Sequence, residues 1–190
     1  MDMTIPIDLK AFILAVGLVA GGYMFSMLLW SYIYPHRRVW PPKEATAAIK
    51  LRVWFMTITI FAAAFVLGLL NWNHFEWSPI VRWSIGLPLV LVGNLVVWRG
   101  VLKIGMAATS GEATGLVTGG MYGWSRHPQY VADMAILIGW GVLSASLWAL
   151  PVLVIGLTVL TIAPFAEELW LEEVYGEDYR SYKQTVRRFI

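Results

Sequence analysis

The chain reads as an all-α integral membrane protein: five transmembrane helices, the last two forming a C-terminal helical hairpin, followed by cytoplasmic C-terminal helices. Three observations predict this. Apolar residues make up 58% of the 190 positions and charged residues only 14%, against about 25% charged in ordinary globular proteins. Asp, Glu, Lys and Arg are absent from four runs, residues 11–35, 53–75, 83–98 and 134–166. When those runs are threaded through a bilayer, all but two of the 14 basic residues collect on one side. The whole chain 1–190 is one membrane domain, with three spans in residues 1–98 and the polar motifs in residues 99–190.

The first two spans are assigned to residues 9–33 and 53–72, each at or above the ~20 residues that cross a bilayer. The third, 80–98, reaches that length only by including Ile80 and Val81, so Arg82 must snorkel to the headgroups. The run 134–166 is too long for one span. With residues 129–133 it divides near Ser144-Ala145-Ser146 and Pro151 into spans at 129–146 and 149–166, joined by a tight turn. Arg37, Arg38, Lys43, Lys50, Arg52, Arg99, Lys103, Arg126, Arg180, Lys183, Arg187 and Arg188 then share one face, and only Lys10 and Arg82 the other. The positive-inside rule makes the basic face cytoplasmic, with the N-terminus outside and the C-terminus inside. Asp2, Asp8 and Lys10 make a poor basic region for a cleaved signal, and the apolar run after them is too long for one.

Gly17 and Gly21 form a GxxxG pattern, which permits close helix approach within the monomer or at a homodimer seam. Pro88 is expected to kink the third span. His36 and His74 fall in opposite loops and read as interfacial residues. The absence of cysteine excludes disulfides, zinc–thiolate sites and thiol nucleophiles, and without clustered histidines no metal site is expected. A net charge of +2 gives no reason to expect a nucleic-acid partner.

The polar chemistry lies on the basic face. Residues 99–127 read as one long loop, the kind that is usually functional in a compact protein. It ends in GLVTGGMYGWSRHPQY, residues 115–130. Pro128 suits the first turn of a helix and pushes His127 towards extended geometry. Arg126 and His127 therefore stand at a helix mouth beside unpaired N–H groups, a place for a carboxylate or phosphate or for a simple headgroup anchor. After the fifth span come Glu167-Glu168-Leu169-Trp170-Leu171-Glu172-Glu173-Val174-Tyr175, then Gly176 as a helix stop. Glu177 and Asp178 open a final amphipathic helix that closes with Arg187 and Arg188, while Trp170, Leu171 and Val174 can face the membrane surface. The hairpin brings Arg126, His127 and Tyr130 opposite Glu167. These groups either pair with one another or hold a zwitterion between them, its ammonium at Glu167 and its carboxylate at Arg126, His127 and the helix N-terminus.

The segments LVTGGMYGWSRHPQY (116–130) and EELWLEEVYGEDYRSY (167–182) resemble the isoprenylcysteine carboxyl methyltransferase family and its relatives among membrane phospholipid methyltransferases. The resemblance covers the C-terminal half. It implies methyl transfer from S-adenosylmethionine to a lipophilic or lipidated acceptor, without a GxGxxG motif, for which Gly119-Gly120 is no substitute. It also implies a cofactor held by Thr114, Gly115, Leu116 and Val117, by Tyr122, by His127, Pro128, Gln129 and Tyr130, and by Glu167. Tyr122, Trp124 and Tyr130 would flank the adenine or the sulfonium, and Arg126, Asp133 and Glu168 are the candidates for the catalytic side.

Two departures bear on the acceptor. Ala163 stands where the carboxyl methyltransferases carry a substrate-contacting arginine, and Ala132, in place of their glycine, is followed by Asp133. Asp133 either faces the lipid tunnel and favours an amine or other non-anionic acceptor, or pairs with Arg126 or another basic residue of its own loop. An isoprenylcysteine-like carboxylate would need no general base, whereas a phospholipid or other amine would need one, Asp133 or Glu168. NADPH-dependent membrane sterol reductases look similar around the Arg-His-Pro motif, but Glu167-Glu168 is a poor phosphate partner. The remaining alternative is a non-catalytic membrane scaffold.

Overall fold

A backbone in hydrocarbon must satisfy its own hydrogen bonds, and a single apolar run can do that only as a helix. Every regular element among the described residues is helical. The computed structural model describes residues 7–42, 44 and 46–190; Asp2 and Lys43, used above in reading the topology, lie outside them. In chain order the elements are α1 (Ile7–Ile33), α2 (Ala47–Leu70), the short α3 (Pro79–Val81), a π-helical turn (Arg82–Gly86), α4 (Leu87–Thr109), α5 (Pro128–Ser144) and α6 (Leu150–Thr185). Four stretches, Ile7–Ile33, Ala47–Leu70, Pro79–Thr109 and Leu150–Thr185, are long and apolar enough to cross a membrane. The fifth helix of the bundle, α5, has 17 residues. That is about 26 Å of helix against ~30 Å of hydrocarbon, so it is the short member of the set.

α1 packs along α2 and α6, and α4 along α5; α2 touches α5 and α6 but hardly meets α4. The core between them is aliphatic, with Leu28, Leu67, Leu137 and Val152 almost wholly enclosed. The glycine pair of α1 is used inside the chain. A Cβ on Gly17 would lie 2.8 Å from the Ala63 Cβ and 2.9 Å from Val152, and one on Gly21 2.7 Å from Ile155. Packing against α2 and α6 therefore consumes the surface that a homodimer through Gly17 and Gly21 would need.

A second glycine seam joins the π-helical turn to α5. A Cβ on Gly86 would come 2.7 Å from the Leu143 nitrogen, and one on Gly139 2.8 Å from the Gly86 carbonyl. Backbone atoms cannot rotate aside, so Gly86→Ala and Gly139→Ala should each cost about 1–3 kcal/mol. Thermal melts in detergent followed by tryptophan fluorescence test this, and unchanged melting in both variants would show that the two helices separate freely.

At the far end of the bundle the hairpin turns where expected. Ala145 adopts φ +46° and closes α5. Asn71 Oδ1, at the end of α2, accepts from Ser146 Oγ at 3.2 Å, Leu147 N at 3.1 Å and Trp148 N at 3.4 Å.

Four details differ from the sequence reading. Arg82 does not snorkel: it is 4% exposed, donates from Nε to the Leu143 carbonyl at 2.8 Å and lies 4.4 Å from the centre of the Trp72 ring. The hairpin tip supplies the acceptor that water would otherwise provide. The third span is not one regular helix around Pro88: a wider π turn at Arg82–Gly86 precedes the proline and gives room between its ring and the carbonyl four residues back. The region 99–127 is helical as far as Thr109, with a break at Gly105, φ +83°, so the irregular connection is 110–127. The last helix does break at Gly176, φ +54°, but it ends at Thr185, leaving Arg187 and Arg188 in an extended tail.

Candidate active site

The start of α5, the middle of α6 and the 110–127 connection close over a cavity of about 670 Å³, within the range of small-molecule sites. Its polar end is lined by Thr114, Gly115, Leu116, Val117, Tyr122, Arg126, His127, Pro128, Gln129, Tyr130 and Glu167. Asp133 lines it one helical turn beyond Tyr130, whereas Glu168 does not reach it. The apolar end lies between α2, with Trp54, Phe61 and Phe65, and α4, with Asn94, Val97 and Trp98. α2 and α4, which hardly meet directly, form the facing walls of that end.

The two adjacent glutamates have opposite fates. Glu167 Oε1 accepts from Trp40 Nε1 at 3.1 Å and from the Tyr130 hydroxyl, and His127 Nδ1 stands 3.7 Å from its Oε2. Among the described residues no lysine or arginine pairs with it. Glu168 points away from the cavity. It accepts from Arg126 at 2.7 and 3.1 Å and from Arg188 at 2.9 and 2.8 Å, with His127 Nε2 at 3.4 Å. Burial pushes the Glu168 carboxyl up, but the His127 ring beside it, the hydrogen bonds from Arg188 and Arg126 and the Arg126 charge more than reverse this, holding it well below the usual carboxylate range.

Arg126 is equally committed. Its Nη1 donates to the carbonyls of Lys183 at 3.1 Å and Val186 at 2.7 Å, and its backbone N–H donates to Arg187 at 2.9 Å. Arg126 and Glu168 thus form a clasp that binds the C-terminal tail to the α5 mouth. The two candidates for the catalytic side thus stand paired with each other, Glu168 turned from the cavity and the Arg126 guanidinium shared between its carboxylate and the tail carbonyls. Of the two arrangements the sequence left open, pairing takes Arg126 with Glu168 and leaves Glu167 to neutral partners.

The connection over the cavity is tied down at several points. Trp54 Nε1 donates to Ser110 Oγ at 3.1 Å, Lys50 pairs with Glu112, and Gly115 N donates to the Tyr175 hydroxyl at 3.1 Å. The Tyr182 hydroxyl donates to the Tyr122 carbonyl at 2.5 Å; burial pushes that phenol up to about 12, so it keeps its proton. Burial, and then the Glu167 charge, raises Tyr122 as well. Tyr179 also lines the cavity. It is 1% exposed, and its hydroxyl has no partner among the described residues, nor has Gln129 Nε2.

Other candidates fall elsewhere. Trp124 is 86% exposed and outside the cavity. Trp170 and Leu171 line the cavity instead of facing the membrane surface, while Val174 is exposed. His36 and His74 are exposed and remote. Sequence reasoning gave no site role of their own to Trp40, Tyr175, Tyr179 and Arg188. Tyr179 and Tyr182, three apart on one helix, carried a findable signal; Trp40, in a loop among prolines, carried none.

A model of the phospholipid methyltransferase family matches residues 81–178, a range that holds α4, α5, the connection between them and both glutamates. The chain is 32% identical over 113 residues to a protein-S-isoprenylcysteine O-methyltransferase from Xenopus laevis, covering 54% of the chain and 38% of that protein. It is 27% identical over 131 residues to the cobalt-zinc-cadmium resistance protein CzcN of Cupriavidus metallidurans, covering 67% and 57%. With the nickel-cobalt-cadmium resistance protein NccN of Alcaligenes xylosoxydans xylosoxydans it shares 22% over 139 residues, covering 73% and 62%. The matches thus span less than two thirds of each relative's own length. No solved structure matches the chain.

Proposed function

The chain belongs to the phospholipid methyltransferase family, and from that membership we propose that it moves a methyl group from S-adenosylmethionine to a lipophilic acceptor at the cytoplasmic face of a membrane. The observation that carries this reading is the continuity of the cavity, which joins a polar, glutamate-bearing end to an apolar end between α2 and α4. A charged methyl donor and a lipid-like acceptor need such a pair of environments in contact. The basic residues at the polar end argue for the cytoplasmic side.

The residues present fit the donor. Glu167, with neutral partners in Trp40 and Tyr130, would take its ammonium. Donors left over at Tyr179 and Gln129, His127, and the N–H groups that open α5 suit its carboxylate and hydroxyls. Thr114, Gly115, Leu116 and Val117 would hold the adenosine end, and the rings of Tyr122 and Tyr130 would lie beside the sulfonium. When bound, S-adenosylmethionine supplies a methyl carbon already activated by its sulfonium, the carbon–sulfur pair staying with sulfur as the acceptor bonds to that carbon. The protein's share is to fix the line of approach and keep water out. The tethered 110–127 connection and the tail clasp serve this by closing the polar end.

Purified protein should melt several degrees higher with saturating S-adenosylmethionine, as binding at about a hundred times the dissociation constant adds ~2.7 kcal/mol. NADPH should leave the melting temperature where it was. A shift with NADPH alone would move the chain to the reductases, and no shift with either would leave a scaffold.

A further inference from the structure

We propose that the end of the bundle opposite the cavity carries a separate binding site, in which Arg82 takes the phosphate of an anionic lipid. The site is independent of the methyltransferase reading, since it lies at the other leaflet and uses none of the residues around Glu167.

Arg82 belongs to the π-helical turn and is buried, and a guanidinium keeps its charge in any protein. Of its N–H donors only Nε has an acceptor among the described residues, the Leu143 carbonyl at 2.8 Å. Nη2 is buried with none. Asp8 and Glu76, the acids of this end, form no ion pair with it among the described residues. The Trp72 ring, 4.4 Å away, attracts the cation but brings no opposite charge. A buried charge in this position is costly until an anion meets it.

Its neighbours are short of partners as well. Asn73 N donates to the Ser144 carbonyl at 2.7 Å, one residue on from the carbonyl that Arg82 uses. Arg82, Asn73 and Ser144 therefore meet in one knot of chain at the hairpin tip. Ser144 Oγ and Asn73 Oδ1 are buried there without a hydrogen bond among the described residues, an unusual concentration of orphaned polar atoms. A phosphodiester oxygen can accept from Arg82 and from the Ser144 hydroxyl, and Asn73 Oδ1 can accept from a headgroup hydroxyl.

The surroundings favour a lipid over a free ion. Trp72, Trp77, Ile80 and Trp83 are exposed around the same turn, and tryptophans of this kind lie at headgroup depth. A lipid seated by its phosphate would cover them with its chains, whereas inorganic phosphate would meet the charge alone.

The test uses the full chain, delipidated in non-ionic detergent with about 0.5 M salt, which screens the exposed basic residues of the other face more than a buried guanidinium. Thermal melts are followed by tryptophan fluorescence with added phosphatidylglycerol, phosphatidylcholine or inorganic phosphate. Phosphatidylglycerol should raise the melting temperature, with half-saturation at about tenfold lower concentration than phosphatidylcholine, the worth of a hydrogen bond to a charged group. Arg82→Gln should abolish that preference. Ser144→Ala deletes an unpaired hydroxyl, so the lipid-free variant should melt no lower than wild type. Its half-saturating concentration of phosphatidylglycerol should nevertheless rise about fivefold, and this variant decides the matter if Arg82→Gln does not fold. Equal responses to the two lipids, a preference that persists in Arg82→Gln, or an unchanged response in Ser144→Ala overturns the proposal. A shift with inorganic phosphate as large as that with phosphatidylglycerol overturns the lipid assignment in favour of a free ion. No shift with any of the three overturns the site and leaves buried water at the knot.

Discussion

Glu167→Ala is expected to weaken S-adenosylmethionine binding at least a hundredfold, measured by calorimetry on detergent-purified protein. Glu167 is the one carboxylate at the polar end that is held in place yet not neutralised. Trp40 Nε1 at 3.1 Å and the Tyr130 hydroxyl fix its direction and leave its charge for a ligand. Losing a charge-assisted contact in a partly desolvated site costs about 1.5–3 kcal/mol, and the ligand's ammonium, once buried without a partner, adds to that. Two orders of magnitude are about 2.8 kcal/mol. Glu167→Gln keeps the shape and the hydrogen bonds but removes the charge, so it should lose most of the same affinity. Trp40→Phe removes one neutral donor and should cost tenfold or less. His127→Ala, which faces both glutamates at 3.7 and 3.4 Å, should behave like Glu167→Ala. A dissociation constant within threefold of wild type in Glu167→Ala would place the donor elsewhere and remove every role assigned around it.

The spans were legible because hydrocarbon imposes a single solution on a charge-free run, and the hairpin because Ser144-Ala145-Ser146 interrupts one run too long for a single crossing. Glu167 was set opposite the α5 mouth with help from the family resemblance; what could not be read was that Glu168 turns away from the cavity into a clasp with the tail. Successive helical residues point about 100° apart, so one of the pair had to turn inward and the other towards the tail. The choice is made by partners far off in sequence: Trp40 for Glu167, and Arg188 with Arg126 for Glu168. Arg82 is a similar case. Snorkelling was the right default for an arginine alone in a span, and it gives way because the Leu143 carbonyl and the Trp72 ring lie within reach. The cofactor-side residues from Thr114 to Tyr130 came from the family resemblance more than from spacing. Asp133 came from a departure, as an acid where a run of apolar residues was due.

Removing Glu168 should hurt folding more than ligand contact. Its side chain is 4% exposed between Arg126 and Arg188, and Glu168→Ala would leave Arg126, itself 7% exposed, without its counter-charge, at a cost of about 3–5 kcal/mol. The melting temperature should fall accordingly, and tail deletion from Val186 onward should lower it in the same direction by stripping Arg188 and the carbonyl that Arg126 uses. The pH dependence has a definite sign. Burial raises the Glu168 carboxyl, but the nearby His127 ring and the hydrogen bonds it accepts from Arg188 and Arg126 bring the folded value below the ordinary 4.5. The unfolded chain then binds the proton first on acidification. The contribution of Glu168 is thus complete above the ordinary value and is lost as pH falls below it towards the folded one. Wild type should melt above Glu168→Gln by a constant margin between about pH 5.5 and 8, and the margin should begin to narrow as pH drops below about 4. A gap that does not narrow at all between about pH 4.5 and 3 would mean that shape, not the ionised carboxylate, holds the tail to the α5 mouth.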